Sequence, residues 1–201
     1  HGLIVIIALG ESIVAVGVGA SGVDLDAGVV AATVIGVGVA AALWWAYFDV
    51  VAPVAERRLR RATGVERAAL ARDSYSFLHL LMVAGIVLLA LGVKKTLGDV
   101  GGHLKIIPAL GLCGGVALYL LGHVLFRLRN VHTLNRQRLV VLIAIAAFTP
   151  LATRMPALAA LSVVFAVTTC LIAYEAIRFA EARDRVRHAP EGEAAMAPAP
   201  R

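Results

Sequence analysis

Six long apolar runs alternate with short polar stretches along the chain. A helix needs about 20 apolar residues to cross the roughly 30 Å hydrocarbon core of a bilayer, at about 1.5 Å per residue. The apolar positions are continuous and do not alternate with polar ones, which argues against membrane-spanning β-strands. We therefore predict an all-α fold, a polytopic bundle of about six transmembrane helices. The predicted spans are residues 2–20, 27–51, 75–97, 104–126, 138–153 and 157–177.

The composition supports a membrane protein. The chain has 201 residues, of which 60% are hydrophobic, and a mean hydropathy of +0.86. Soluble globular domains contain only about 45–50% apolar residues. Aromatic residues make up 6% of the chain, so the apolar excess consists of Ala, Val, Leu, Ile and Gly.

The basic residues lie mostly on one side of the predicted membrane. Six spans place the loops after spans two and four in the same compartment as the C-terminal tail. These segments carry fifteen of the nineteen Lys and Arg residues, and the positive-inside rule assigns them to the cytoplasm. Orientation explains the net charge of +6, so we do not expect a nucleic-acid partner. We predict a transmembrane domain at 1–178 and a disordered, Ala- and Pro-rich cytoplasmic tail at 179–201.

The cytoplasmic loop of residues 55–74 contains a cluster of arginines. Arg57, Arg58, Arg60 and Arg61 are candidates for binding membrane lipids, because each basic residue near an anionic surface contributes about 1 kcal/mol. One interpretation is a short amphipathic helix lying on the membrane surface. The alternative is a solvated loop that only fixes the topology.

Small residues recur at helical spacing in three spans. They matter because helices in lipid associate through close backbone contact. We expect these stripes to face other helices: Ala8, Ser12, Ala15 and Gly19 in span one, Gly28, Ala32, Gly36 and Ala40 in span two, and Gly111 and Gly115 in span four.

Glu11 is a single carboxylate near the middle of the first apolar run. A charge at the bilayer centre costs roughly 2.5–3.5 kcal/mol on insertion scales. Because Glu11 lies next to the small-residue stripe of span one, we expect it to face other helices and not lipid. There it could exchange a proton, bind a cation, or only hydrogen-bond a neighbouring helix.

Further polar residues lie at the predicted cytoplasmic ends of the spans. Asp49, His79, His123, Arg127 and Glu175 could meet there as one cluster. The ordinary explanation is that spans end in polar residues because water begins there. Nearby, Trp44, Trp45 and Tyr47 are typical of an aromatic belt at the membrane interface.

The chain carries no motif of a known enzyme or cofactor site. Its two cysteines, Cys113 and Cys170, form no metal-binding spacing, and we expect neither a metal nor a cofactor. Residues 17–22 read GVGASG, but the helix start and the later acidic residue of a dinucleotide site are missing. We therefore predict a protein that is not an enzyme.

Three segments resemble the low temperature requirement protein A (LtrA) family of bacterial membrane proteins. They are HGLIVIIALGESIVAV at the start, LWWAYFD at 43–49 and SYSFLHLLMVAGIVLLALG at 74–92. Val5 departs from the family pattern, which often has Phe there. The resemblance implies a multi-pass protein of the bacterial plasma (inner) membrane, associated with growth in the cold, and a missing N-terminal part of the same protein. It adds Gly10 and Ser12 to Glu11 as candidates.

Two functions follow from these residues. The first is a transporter or channel-like protein in which an intramembrane glutamate, Glu11, handles protons or small cations. The second is a structural or regulatory membrane protein in cold adaptation, with a lipid-sensing arginine loop and no transport. Either function is compatible with a homo-oligomer.

Overall fold

The computed structural model of the chain is a bundle of helices. It describes residues 2–21 and 23–178, although not the side chains of residues 50–55, and this part contains no β-strand. The all-α prediction is confirmed, whereas the predicted tail at 179–201 lies outside the described residues. The α-helices are α1 (Gly2–Ala20), α2 (Ala27–Ala46), α3 (Ala52–Arg61), α4 (Gly64–Leu70), α5 (His79–Gly98), α6 (Ile106–Ala109), α7 (Gly115–Val131), α8 (Arg136–Ala152) and α9 (Ala157–Arg178).

Three π-helical segments extend these helices. They are π1 (Tyr47–Val51) after α2, π2 (Ala71–Leu78) before α5, and π3 (Leu110–Gly114) between α6 and α7. In a π-helical turn each N–H bonds to a carbonyl five residues back, which shifts the face that later side chains present. Such turns are frequent at functional sites in helices.

Five helical stretches of the described chain are long and apolar enough to cross a membrane. Each overlaps one predicted span. The remaining predicted span, residues 138–153, falls in α8, which has 17 residues. At about 1.5 Å per residue α8 is about 25 Å long. The five stretches are Gly2–Ala20, Ala27–Asp49, Gly64–Gly98, Ile106–Val131 and Ala157–Arg178.

Helix α5 occupies the centre of the bundle and packs against α1 on one side and α7 on the other. Glycines allow the close approach to α7. A Cβ atom added at Gly92 would lie 2.4 Å from the backbone nitrogen of Leu112, and one at Gly115 would lie 2.5 Å from that of Leu89. The predicted contact through Gly111 and Gly115 is therefore confirmed, with α5 as the partner.

The stripe on α2 also faces the bundle interior. Ala32, Gly36 and Ala40 are buried. A Cβ atom at Gly36 would lie 2.8 Å from Cγ1 of Val93 on α5. Small residues thus set the distances between the central helices, as the spacing predicted.

The arginine-rich segment is helical. Its two short helices, α3 and α4, carry exposed ion pairs: Arg58 with Glu66 at 2.8 Å and Arg60 with Glu56 at 2.6 Å. This favours the helical interpretation of residues 55–74 over a loop. Contact of its arginines with lipid stays a prediction, and Arg57 and Arg61 also have interaction partners within the protein.

The predicted aromatic belt divides into two environments. Trp44 and Trp45 are 45% and 47% exposed, which suits an interfacial position, but Tyr47 is only 2% exposed. The prediction for Tyr47 was wrong because Tyr47 continues the buried side of α2, four residues after the buried Leu43, so its ring lies inside the bundle.

Candidate functional site

A group of buried and nearly buried polar side chains lies where one end of the main helices meets. Helices α2, α7 and α9 end there, while α5 and α8 begin there. The side chains hydrogen-bond to one another and to backbone carbonyls. We call this group the polar cluster. Its members are Tyr47, Ser74, His79, Tyr119, His123, Asn130, Asn135, Arg138 and Glu175.

A buried ion pair between Arg138 and Glu175 joins α8 to α9. The Nη2 atom of Arg138 donates to Oε2 of Glu175 at 2.7 Å, and its Nε donates to Oε1 at 2.9 Å. The two side chains are only 5% and 11% exposed. Because two parallel hydrogen bonds hold the charges together, the pair can be sheltered among apolar helices.

The start of α8 positions this ion pair. Asn135 caps the helix, since its side-chain oxygen accepts the backbone N–H of Arg138 at 3.2 Å. The amide nitrogen of the same side chain donates to Oε1 of Glu175 at 3.0 Å. Asn135 therefore holds both partners of the ion pair in place, because it bonds to the backbone of Arg138 and to the carboxylate of Glu175.

His123 on α7 contacts the same guanidinium. Its Nδ1 atom is hydrogen-bonded to Nη1 of Arg138. Arginine can only donate, so Nδ1 is the acceptor and the neutral ring carries its hydrogen on Nε2. That Nε2 atom is buried and has no hydrogen-bond partner among the described residues. A buried polar atom without a partner is unusual and calls for an explanation.

His79 on α5 is fully bonded. Its Nδ1 donates to the backbone carbonyl of Ser74 at 2.7 Å, so its Nε2 accepts from the hydroxyl of Tyr47 at 2.8 Å. The Tyr47 ring centroid lies 5.6 Å from that of His79 and 6.3 Å from that of His123. Tyr47 therefore stands between the two imidazoles.

The last turn of α2 supplies backbone acceptors to the cluster. The hydroxyl of Tyr119 donates to the carbonyl of Leu43 at 2.7 Å, and Nη2 of Arg138 lies 3.4 Å from the carbonyl of Ala46. Both carbonyls belong to the last four residues before π1. The π-helical segment thus lies where the backbone of α2 bonds to side chains of α7 and α8.

A second hydrogen-bonded link lies beside His79. The amide nitrogen of Asn130 on α7 donates to Oγ of Ser74 at 2.9 Å and to the carbonyl of Phe126 at 2.8 Å. Because Ser74 belongs to π2, this contact joins the segment before α5 to the end of α7.

The structure brings together three residues that the sequence singled out: His79, His123 and Glu175. Asp49 is half-buried in π1, and the half-buried Arg127 donates to Thr133 at 3.0 Å.

Sequence reasoning missed the other six members of the cluster: Tyr47, Ser74, Tyr119, Asn130, Asn135 and Arg138. A signal for Arg138 was present, because a cation opens the fifth apolar run on the side where Glu175 closes the sixth.

The expectation for Glu11 is not met in the described structure. Its side chain is exposed, and it has neither a hydrogen bond nor an ion pair among the described residues. The buried face of α1 instead runs through Val5, Leu9, Ser12 and Val16. Adjacent helical positions point about 100° apart, so turning Ser12 inward turns Glu11 outward.

The two neighbours of Glu11 differ from each other. Ser12 is buried, and its hydroxyl donates to the carbonyl of Leu9 at 2.7 Å. Gly10 is exposed, and a Cβ atom added there would meet nothing within 4 Å. Close packing of the described helices therefore does not explain this glycine.

The polar cluster contains two side chains that can exchange a proton, the imidazoles of His79 and His123. No group of three or more His, Cys, Asp or Glu side chains within the described ranges could hold a metal ion. Arg138 places a permanent positive charge beside His123, which opposes both a bound cation and the addition of a proton to the His123 ring while the two groups stay in contact.

Comparison with known proteins identifies one family. Residues 1–173 match the family described as bacterial low temperature requirement A protein (LtrA). No curated protein and no solved structure shows a significant match to the chain.

Proposed function

The chain belongs to the bacterial low temperature requirement A (LtrA) family of membrane proteins, and from this premise we propose that it is a transporter or channel-like protein that handles protons at the polar cluster. The observation that carries the proposal is that two imidazoles, those of His79 and His123, lie buried in the hydrogen-bonded polar cluster. An imidazole is a side chain that can both gain and lose a proton.

Proton uptake at His123 requires movement of Arg138. The ring receives a proton at Nδ1, the atom that accepts from Nη1 of Arg138. Once Nδ1 carries a hydrogen it can no longer accept one, so this hydrogen bond breaks. The two positive charges then repel each other, and Glu175 remains the partner of the guanidinium. Protonation is thereby coupled to a shift at the α7–α8–α9 junction.

His79 can accept a proton with a smaller change. Its Nε2 receives the Tyr47 hydroxyl hydrogen at 2.8 Å. After protonation Nε2 becomes a donor, and the hydroxyl of Tyr47 only has to rotate and accept. His79 and Tyr47 thus form a hydrogen-bonded pair in which Tyr47 can alternate between donor and acceptor.

The test is proton flux into proteoliposomes driven by a pH gradient and read by a trapped pH-sensitive dye. His123→Asn keeps a side-chain oxygen near the position of Nδ1 that can accept from Arg138, but it cannot bind a proton in this pH range. We expect this variant to insert normally and to lose at least tenfold in flux.

The matched control is His103→Asn, at an exposed histidine before α6. It should retain the flux of the unchanged protein. A folded His123→Asn variant with unaltered flux would refute the proposed role of the polar cluster.

Glu11 requires its own experiment. A charged carboxylate facing lipid is costly, so the presence of Glu11 on the exposed side of α1 calls for a test of its own. Glu11→Gln preserves the shape of the side chain and removes its charge. Normal insertion with lost flux would assign Glu11 to the proton path, as the sequence suggested, whereas unchanged flux would exclude it.

A second candidate function is a structural or regulatory one without transport. The observation that favours it is that Arg138 bonds to α9 through Glu175, to α7 through His123 and to α2 through Ala46. Such a network can stabilise the packing of the helices without taking part in transport. Vesicles with folded wild-type protein and no proton flux would favour this function.

We further propose the setting in which the protein works. The arginine distribution supports the bacterial plasma (inner) membrane, with the C-terminus, residues 55–74 and the polar cluster toward the cytoplasm. We propose no enzymatic activity and no cofactor. A role in cold adaptation, contact with anionic lipid through the arginines of 57–61, and self-association belong to the same proposal.

A further inference from the structure

An apolar groove runs between α8 and α9 on the outside of the bundle. Its volume is about 630 Å³, within the roughly 300–1,000 Å³ typical of ligand sites. The floor includes Leu171, which is buried, and Val141 and Val167, which are half-buried. The groove is open along its length, so in a bilayer it faces lipid chains.

Polar side chains line one end of this groove. Arg136 and Gln137 lie in the first turn of α8, and Tyr174 lies in the last turn but one of α9. Along the rest of its length the groove is lined by Val140, Val141, Ala166, Val167, Cys170 and Leu171. The groove is therefore amphipathic along its axis.

Arg136 differs from the arginine two positions later. Arg138 points inward to Glu175, whereas Arg136 is exposed and has no ion pair or hydrogen bond among the described residues. This positive charge, held at the end of an apolar groove and on the arginine-rich side of the protein, complements a phosphate at the level of the headgroups.

We propose that the α8–α9 groove binds one anionic phospholipid, with an acyl chain along the valines and the phosphate on Arg136. Tyr174 and Gln137 lie at the same end and can hydrogen-bond to the headgroup. This site is separate from the arginines of α3, because it holds a lipid by its chain as well as by its charge. It does not depend on proton transport.

The whole protein is reconstituted in vesicles that contain equal parts of phosphatidylglycerol and phosphatidylcholine and is then extracted in mild detergent. The test measures how much of each lipid stays bound to the protein. Bound lipid is counted by native mass spectrometry. Arg136→Gln removes the charge, and Arg154→Gln, at an exposed arginine just after the other end of α8, is its control. Ala166→Trp fills the groove, and Ala173→Trp, at an exposed site of α9 outside it, is the second control.

We expect the unchanged protein and both controls to retain phosphatidylglycerol in preference to phosphatidylcholine. Arg136→Gln and Ala166→Trp should each remove one bound phosphatidylglycerol per protein, while any phosphatidylglycerol held by the arginines of α3 stays. Two results would overturn the proposal. One is that the unchanged protein retains the two lipids equally. The other is that neither Arg136→Gln nor Ala166→Trp alters the binding of phosphatidylglycerol.

Discussion

Arg138 illustrates what a charged residue requires inside a bundle of apolar helices. Its guanidinium meets a carboxylate, an imidazole and a backbone carbonyl, so its hydrogens are directed at acceptors on three neighbouring helices. Removing one partner of such a pair leaves an uncompensated buried charge, which costs roughly 3–5 kcal/mol. Exposed pairs are screened by water and contribute about 0–1 kcal/mol.

We therefore predict that Arg138→Met lowers the stability of the protein by about 3–5 kcal/mol, because Glu175 loses its counter-ion. Adding Glu175→Gln should recover part of this loss, since the second change removes the unpaired charge. Thermal or denaturant unfolding in detergent measures both effects.

The control is Arg60→Met, which breaks an ion pair whose side chains are 72% and 63% exposed. Its effect should stay within about 0.5 kcal/mol. Equal losses for Arg138→Met and Arg60→Met would contradict the importance of the buried pair.

For single residues, the sequence showed which polar residues lie within the helices better than it showed which way their side chains point. In α1 both Glu11 and Ser12 lie at helical spacing from Ala8, so the spacing alone does not decide which of them turns inward. The buried line through Val5, Leu9 and Val16 decides for Ser12. That line depends on how α1 packs against α5, which a single helix pattern does not contain.

Among the helices, the contact between α5 and α7 depends on glycine. Gly85 and Gly92 on α5 face Gly111 and Gly115, and added Cβ atoms would lie 2.4–2.9 Å from backbone atoms of the neighbouring helix. Backbone cannot move aside as a flexible side chain can. The G-x-x-x-G spacing predicted a close contact on this helix, but not its partner.

We predict that Gly115→Ala destabilises the protein by about 1–3 kcal/mol, because its methyl group overlaps the backbone of Leu89. Gly114→Ala is a matched control in the adjacent position, since a Cβ atom there meets nothing within 4 Å. Unfolding in detergent compares the two variants. A Gly115→Ala protein as stable as the Gly114→Ala protein would mean that the two helices can separate without cost.

The π-helical segments were not predictable from hydrophobic periodicity. Residues 47–51 and 71–78 read as ordinary continuations of apolar runs and of the arginine-rich loop. Two members of the polar cluster, Tyr47 and Ser74, lie in these segments.

Over the whole molecule, the alternating direction of successive spans explains why the members of the polar cluster lie at the same end of the bundle. Helices that run in opposite directions bring the end of one span beside the start of the next, so His79, His123 and Glu175 meet at one end of the bundle. The charge pattern and span count predicted that common end. Their hydrogen bonds could not be predicted, because each depends on rotations of the helices about their own axes.

The most direct measurement of proton handling is nitrogen-15 NMR of the histidine rings in the whole protein, reconstituted in lipid bilayers. The His123→Asn variant identifies the signals of His123. At high pH we expect an unprotonated Nδ1 on His123, hydrogen-bonded to Arg138, and on lowering the pH we expect that atom to gain a proton reversibly while the protein stays folded. A His123 ring that keeps one protonation state wherever the protein is folded would contradict a proton-binding role of the polar cluster.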